Sequence, residues 1–451
     1  MRVWLLCVSL LLLVPVIGLA QEDEACSFEP VTPGGNNINQ IGDAIYIGGR
    51  TAFRCSRGVS FVADSAVSAL GMRMLIGNVI FTDTAKQIIT DRLDYQESAG
   101  TVSAHNMTMV TDLKTGSVLR APNGLLYTRE APGKQATLQV FSGRPHLTLL
   151  DSLRVDTTNV DADAMTIIGQ KYFTGRGNVV ITRGALNATA AQTIFDDSLG
   201  IMRLWGLANI KGENYDVKGD SIYSEVEGDQ FRNVQVFRNA SIVSENLDVN
   251  GIRLNISFDS GAVNRLIAVG QPGDSTQVDR KQAVAVTPDF TLTADSIDAV
   301  APKQKLEQVT AIGMAYGVRA PDSLDLKLPE EIRSDWLRGD TVIAFFIEAP
   351  DSIKAKRAAA DSANDRVIDR LIAVGRVGKP ATATYRMRAE GDTTTSNLEV
   401  GYIAARRITA IFKDGAVYDL DAQDQVQGLY LQPIRREATA RGPSSSASRE
   451  R

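Results

Sequence analysis

The chain has 451 residues, of which 44% are hydrophobic, and its 48 basic and 53 acidic residues give a formal net charge of −5. A mildly acidic chain with mixed charges is not expected to bind nucleic acid non-specifically, whereas its apolar content is sufficient for a large core. Its two histidines, His105 and His146, lack the spacing required for a Ser-His-Asp relay or a histidine-containing zinc site. We therefore predict no catalytic residues, no metal site and no cofactor.

The N-terminal segment has the features of a signal peptide over residues 1–20. Arg2 precedes an apolar run at 5–14, and the segment ends in the small-residue sequence Gly18-Leu19-Ala20. An uncleaved membrane anchor is the alternative, although it would need about 20 apolar residues. Residues 21–43, which are rich in Gly, Pro and Asn, are predicted to form a flexible linker.

Two cysteines, Cys26 and Cys55, would remain after cleavage. Disulfides persist in oxidising compartments, so an exported chain with an even number of cysteines is expected to pair them. Two free thiols remain the alternative from the sequence alone.

Short runs of alternating apolar and polar residues begin at Ala44 and dominate the rest of the chain. Examples are residues 78–82, 178–182 and 252–256, and Gly-containing turn signals such as Lys114-Thr115-Gly116 separate the runs. This pattern predicts an all-β, antiparallel protein.

A repeated phrase subdivides these strands. It consists of a small residue, Asp and a hydroxyl residue, followed by an apolar run that ends at Gly. It starts at Ala63-Asp64-Ser65, Gly219-Asp220-Ser221, Ala294-Asp295-Ser296 and Gly339-Asp340-Thr341. Strand-turn-strand units of this size cannot bury their apolar faces alone, so the repeat predicts an elongated stack of such units. An Asp at the entry to a strand can accept a hydrogen bond from a backbone N–H two residues further on, and the following Ser or Thr can do the same, so we expect these residues to fix the corners.

The repeat becomes degenerate after residue 270. An Ala-, Lys- and Asp-rich stretch interrupts one unit, which predicts an exposed helix or a mobile loop at 350–366. The strands are predicted to continue to residue 437, and residues 438–451 to be disordered.

The strands before the closing glycines have two different faces. Counting back from Gly270, Gly313 and Gly375 places bulky residues on one face and Ala268, Ala311 and Ala373 on the other. An ordinary core explains such a pattern, but two sheets that do not close completely would leave an apolar groove. Either face is compatible with lining such a groove.

Several of these phrases resemble a known family. Ile76-Gly77-Asn78-Val79-Ile80-Phe81, Gly175-Arg176-Gly177-Asn178-Val179-Val180-Ile181 and Asp220-Ser221-Ile222-Tyr223 are similar to the OstA-like (organic solvent tolerance) domain of the LptA type. Periplasmic lipopolysaccharide-transport proteins, including LptA, LptC and the N-terminal part of LptD, share this domain. The resemblance is clearest over residues 44–270 and continues in degenerate form over 271–437.

The resemblance implies a β-jellyroll, a V-shaped pair of antiparallel sheets that shelters lipid acyl chains. It also implies a periplasmic location, a role in outer-membrane assembly, and edge-to-edge pairing with jellyroll transport proteins at the inner and outer membranes, or with further copies of this chain. The candidate groove residues are Val79, Phe81, Val179, Ile181, Ile267, Val269, Ile312, Ile372 and Val374.

Two alternatives remain open. The chain could be an exported structural β-solenoid with a filled core and no ligand. The third hypothesis is a carbohydrate-active β-helix enzyme that uses unidentified carboxylates.

Overall fold

The computed structural model describes residues 26–31, 36–150, 157–227, 230–244, 247–271, 281–287, 290–321, 325–354, 366–387, 398–413 and 416–432. The predicted signal peptide at 1–20 and the predicted tail at 438–451 lie outside these residues. The chain divides into two compact units, Met1–Ser152 and Leu153–Arg451. This division falls inside the predicted 44–270 body. The sequence does not mark it, because the strand alternation is similar on both sides.

Both units are built from antiparallel strands, as the alternating pattern predicts. The first unit contains twelve strands within its described residues: β1 (Cys26–Pro30), β2 (Asn37–Ile41), β3 (Ala44–Cys55), β4 (Val59–Ala69), β5 (Met72–Thr82), β6 (Lys86–Gln96), β7 (Thr101–His105), β8 (Thr108–Asp112), β9 (Val118–Ala121), β10 (Leu125–Thr128), β11 (Thr137–Val140) and β12 (His146–Leu150).

The described part of the second unit contains twenty strands: β13 (Thr157–Asp161), β14 (Ala164–Ile168), β15 (Tyr172–Arg183), β16 (Leu186–Asp196), β17 (Ile201–Lys211), β18 (Tyr215–Glu227), β19 (Gln230–Ser244), β20 (Asp248–Asp259), β21 (Ala262–Val269), β22 (Ala283–Val286), β23 (Phe290–Ala294), β24 (Ser296–Val300), β25 (Gln308–Arg319), β26 (Trp336–Glu348), β27 (Arg366–Val374), β28 (Ala381–Met387), β29 (Glu399–Ala405), β30 (Arg407–Lys413), β31 (Ala416–Gln423) and β32 (Gln427–Leu431).

The predicted linker at 21–43 contains two of these strands. β1 pairs with the C-terminal half of β3, and β2 pairs with its N-terminal half. The polar composition predicts a linker, but backbone hydrogen bonding to β3 holds β1 and β2 in extended conformation, and the Cys26–Cys55 disulfide also ties β1 to β3. In the predicted insertion at 350–366, a single-turn helix, α1 (Asp351–Lys354), precedes residues that are not described.

The long strands bend near their middle, where the pairing register shifts. β4 and β5 shift between Val62 and Ser65, and equivalent shifts occur along β15–β20 and between β25 and β26. Such bulges add residues to one strand and turn it sharply. We call this line of bends the corner of each unit.

The two halves of each bent strand belong to different layers. In the first unit, residues 86–89 of β6 pair with β8, whereas residues 92–96 pair with β7. We call the layer that contains residues 86–89 layer 1A, and it continues into β8, β9 and β12. The layer that contains residues 92–96 is layer 1B, and it continues into β7, β10 and β11.

The second unit is divided in the same way. We call the layer on the side where β20 pairs with β21 layer 2A, and the layer on the side where β20 pairs with β22 layer 2B. Layer 2A continues into β21, β24, β27, β30 and β31, and layer 2B into β22, β23, β28, β29 and β32.

The two layers of the first unit face each other across an aromatic core. Phe61 of layer 1A lies 5.0 Å from Tyr95 of layer 1B between ring centres, and Phe81 lies 6.1 Å from Tyr127. All four side chains are essentially inaccessible to solvent.

The core of the second unit is filled by small and large aliphatic residues in alternation. One inward row runs across seven neighbouring strands of layer 2A, and every member is at most 1% exposed: Leu254, Ala268, Ile297, Ala311, Val342, Ala373 and Ile408. Each small residue leaves a space beside a large one, and side chains of the opposite layer can enter that space. Such interdigitation is what close packing of a protein interior requires.

Candidate functional site

The nine candidate groove residues do not share one face. Val79, Phe81, Val179 and Ile181 point into the interior of their units and are at most 5% exposed. Ile267, Val269, Ile312, Ile372 and Val374 alternate with the buried Ala268, Ala311 and Ala373, which places them on the outer face of layer 2A, and Ile372 is covered there, at 7% exposed. Within that group, Ile312 is 48% exposed.

The interior between layers 2A and 2B is therefore lined by the alanine face of the strands, not by the bulky face. Leu266 and Ala268 of β21 are buried, while Ile267 and Val269 between and beside them are partly exposed. Period-two alternation separates the two faces of a strand but does not say which face is covered.

The open end of the second unit, opposite its corner, carries a small apolar cavity. Its volume is about 60 Å³, and its lining comes from both layers, including Ile242 and Leu247 of layer 2B and Leu266 and Leu306 of layer 2A. Ligand pockets typically enclose about 300–1,000 Å³. The cavity is therefore smaller than a typical lipid would need.

Among the described residues, two specific side-chain contacts join the layers at this end, which we call the mouth of the second unit. The Asn214 amide donates a hydrogen bond to Gln304 Oε1 across the mouth at 3.3 Å. Tyr215 of layer 2B and Phe258 of layer 2A stack with ring centres 5.4 Å apart, and burial raises the pKa of the Tyr215 phenol. Aromatic stacking and one solvent-exposed hydrogen bond provide modest stabilisation.

The mouth of the first unit is closed by polar groups. The Tyr127 hydroxyl donates a hydrogen bond to Asp83 Oδ2 at 2.7 Å, and the Arg129 guanidinium lies 3.6 Å from the same carboxylate. Burial, followed by the charge of Asp83, raises the pKa of the Tyr127 phenol, so the hydroxyl keeps its proton and remains a donor.

A second ion pair lies at the same mouth. Lys86 Nζ is 2.9 Å from Asp112 Oδ2, and both side chains are largely buried. Burial raises the pKa of the Asp112 carboxyl, but hydrogen bonds from Lys86 and from the backbone of Thr115 and Lys114 outweigh it, and the pKa lies below its ordinary value. The sequence gives one indication of this cluster. Asp83 directly follows β5 and Asp112 ends β8, and an Asp at the end of a strand commonly accepts hydrogen bonds from the backbone of the turn that follows.

The repeated Asp residues lie at the corner and bond to the neighbouring strand. Asp64 lies in the middle of β4, not at the start of a strand, and its Oδ2 accepts a 2.6 Å hydrogen bond from the side chain of Asn78 on β5. Asn178 donates to Asp163 at 2.9 Å, and Asn239 to Asp220 at 3.0 Å. These residues therefore lie at the corner as predicted, and for Asp64, Asp163 and Asp220 the structure shows an Asn side chain of the neighbouring strand as a donor to the carboxylate.

The cysteines are paired. Cys26 and Cys55 form a disulfide that joins β1 to β3, and the two residues are direct partners in the strand register.

Free strand edges are present in both units. In the part of the second unit that the structure describes, β31 pairs only with β30, and β32 pairs only with β29. All five residues of β32 are exposed, including Leu429, Tyr430 and Leu431. Exposed edges of this kind are templates for strand addition.

Among the residues described, no group of three or more His, Cys, Asp or Glu side chains could hold a metal ion. Within the same part of the chain, no helix has the length and apolar character to cross a membrane.

No protein-family model matches the chain, and no curated protein sequence matches it.

Proposed function

We propose that this chain is a non-enzymatic lipid-binding protein of the bacterial periplasm that shelters acyl chains between two β-layers and takes part in outer-membrane assembly. The observation that carries this proposal is the apolar cavity at the mouth of the second unit, which both layers line. The resemblance to the OstA-like family is consistent with it and favours lipopolysaccharide as the lipid.

Binding would require the two layers to separate at the mouth. The strands are continuous through the corner, whereas at the mouth the described contacts between the layers are side-chain contacts, including the Asn214–Gln304 hydrogen bond, the Tyr215–Phe258 contact and the apolar lining of the cavity. An acyl chain that enters there gains about 0.8 kcal/mol for each buried CH₂ group. A few such groups offset the loss of the mouth contacts.

Edge-to-edge association is the second part of the proposal. β32 presents a free edge with apolar side chains, and β1 and β2 present free edges in the first unit. The proposed partners are other jellyroll transport proteins or further copies of this chain.

A structural scaffold with a filled core is the second candidate. The observation that favours it is the inward row of layer 2A, from Leu254 to Ile408, in which every side chain is at most 1% exposed. A scaffold would keep this interior closed and would bind no lipid.

Locking the mouth distinguishes the two candidates. In a variant with Asn214→Cys and Gln304→Cys, a short thiol-reactive crosslinker would tie layer 2A to layer 2B. We expect the untreated variant to bind a fluorescent fatty acid. Binding is measured by the rise in fluorescence when the fatty acid moves from water to an apolar site. The crosslinked protein should lose this binding.

The matched control is the variant with Asn214→Ser and Gln304→Ser, treated with the same reagent, which should bind the fatty acid before and after treatment. Undiminished binding by the crosslinked protein would contradict entry at this mouth. Absence of binding by every form, together with no lipid in organic extracts of the purified protein, would favour the scaffold.

A further inference from the structure

The outer face of layer 2A carries an aromatic depression that the lipid proposal does not use. Its volume is about 500 Å³, and it is lined by residues of β17, β18 and β19. Trp205, Tyr223 and Phe237 are partly exposed there and alternate with buried neighbours such as Leu204, Ile222 and Val236. The depression therefore faces away from the interior of the unit.

The strand register makes a slot in this surface. Trp205 pairs with Ser221, and Ser221 pairs with Phe237, so a small residue lies between two aromatic rings. Strands are about 4.8 Å apart, which places the backbones of Trp205 and Phe237 about 10 Å apart. The slot is the space above Ser221, between the side chains of Trp205 and Phe237.

Two arginines flank the slot. The guanidinium carbon of Arg203 lies 5.4 Å from the centre of the Tyr223 ring, and that of Arg253 lies 6.0 Å from the centre of the Phe237 ring. Neither arginine has a carboxylate within 4.0 Å among the residues that the structure describes. The lining holds one arginine, Arg203, and one acidic residue, Glu225, and Arg253 on the adjoining strand brings the local formal charge to +1.

These features define the chemistry of a ligand. Aromatic faces contact the C–H faces of a sugar ring, and Gln235 and Ser221 offer hydrogen-bonding groups for hydroxyls. A planar guanidinium forms paired hydrogen bonds with a carboxylate or a phosphate. Nucleic acid also stacks on aromatic rings, but binding it generally requires an extended positive groove, and this chain has a net charge of −5.

We propose that this outer face is a binding site for an acidic saccharide, one that carries carboxylate or phosphate groups. The slot between Trp205 and Phe237 holds a sugar ring, and Arg203 and Arg253 neutralise its acidic groups. The site is on the opposite face of layer 2A from the lipid cavity, so it does not depend on the proposed lipid binding.

An array of immobilised glycans tests the proposal with the full chain. The array should contain glycans with uronic acids, glycans with phosphorylated sugars, neutral glycans and single-stranded oligothymidylate. We expect retention on the acidic glycans, and Trp205→Ala should weaken it by about fivefold or more, the low end of the effect of removing one stacking ring. Arg203→Gln with Arg253→Gln should weaken binding to acidic glycans selectively.

Two further variants separate binding from folding. Ser221→Leu leaves all the aromatic rings in place but fills the floor of the slot, and it should also abolish retention. Trp336→Ala is the matched control, because Trp336 lies in layer 2B, and it should leave retention unchanged. No retention on any acidic glycan, full retention by both Trp205→Ala and Ser221→Leu, or stronger retention on oligothymidylate would overturn the proposal.

Discussion

At the scale of single residues, the corner of each unit depends on glycines that lie against an Asp. Gly177 has φ +73°, and a Cβ atom added there would lie 2.3 Å from Asp163 Oδ2. The next residue, Asn178, also has positive φ and donates to the same carboxylate. The backbone conformation and the close approach therefore both require glycine at this position.

Substitution of this glycine separates the two requirements. Gly177→Ala should lower the free energy of unfolding of the second unit by about 2–4 kcal/mol, because it adds a clash with Asp163 to the cost of positive φ. Gly184→Ala is the control, since Gly184 has φ +54° and open space around its Cβ position. It should cost about 1–2 kcal/mol in urea unfolding, and an equal loss for both variants would contradict the contact with Asp163.

The Asp112 carboxylate should make the first unit sensitive to acid. The pKa of Asp112 is lowered in the folded protein, so the ionised carboxylate stabilises the fold. This stabilisation is present above the pKa of Asp in the unfolded chain, about 3.9, and is lost as the pH falls through the pKa of the folded protein. Asp112→Asn leaves the largely buried Lys86 without its partner and should cost roughly 1–3 kcal/mol at pH 7.

The difference in melting temperature between wild type and Asp112→Asn should shrink between pH 7 and pH 3. Asp43→Asn, which changes an exposed acidic residue in the turn between β2 and β3, should show no such trend. A difference for Asp112→Asn that stays constant with pH would contradict the role of this ion pair.

At the scale of elements, β32 is a strand open to pairing with another chain. Within the described residues it pairs with β29 alone, and all five of its residues are exposed. We expect the purified protein to self-associate with increasing concentration, because an uncovered strand edge can add a strand from another chain.

Charges on this strand should weaken the association. Leu429→Lys with Leu431→Lys should raise the dissociation constant, measured by analytical ultracentrifugation, by about tenfold or more. Leu207→Lys provides a control, because Leu207 is exposed at the corner of the second unit and away from the edge. A monomer at all concentrations, or equal effects of both changes, would contradict edge pairing through β32.

The sequence predicts elements of this kind well where alternation is strong. Residues 78–82, 178–182 and 252–256 lie in strands, and the turn signals separate them as expected. β1 and β2 could not be predicted, because their pairing with β3 overrides their polar composition. The Asp64–Asn78 bond was also missed, since it joins residues that become neighbours only in the register of β4 and β5.

At the scale of the whole molecule, the inward face decides which residues could meet a lipid. The outer face of layer 2A carries the aliphatic residues Ile267, Val269 and Ile312, as an interior face would. The amino-acid composition of a face therefore does not show which face is covered. Burial shows that the alanine face is covered. In a lipid-binding form, the interior would have to open at the mouth, because the strands run continuously through the corner.

The most direct test of lipid binding between the layers is photo-crosslinking with a photoactivatable amino acid at defined positions. Leu247, Leu266 and Leu306 line the cavity, whereas Val269 and Val374 lie on the outer face. Crosslinking in cells, followed by mass spectrometry of the adducts, should give acylated lipid adducts at the three cavity positions and none at the two outer positions. Adducts in equal amounts on both faces, or none at the cavity positions, would contradict the account.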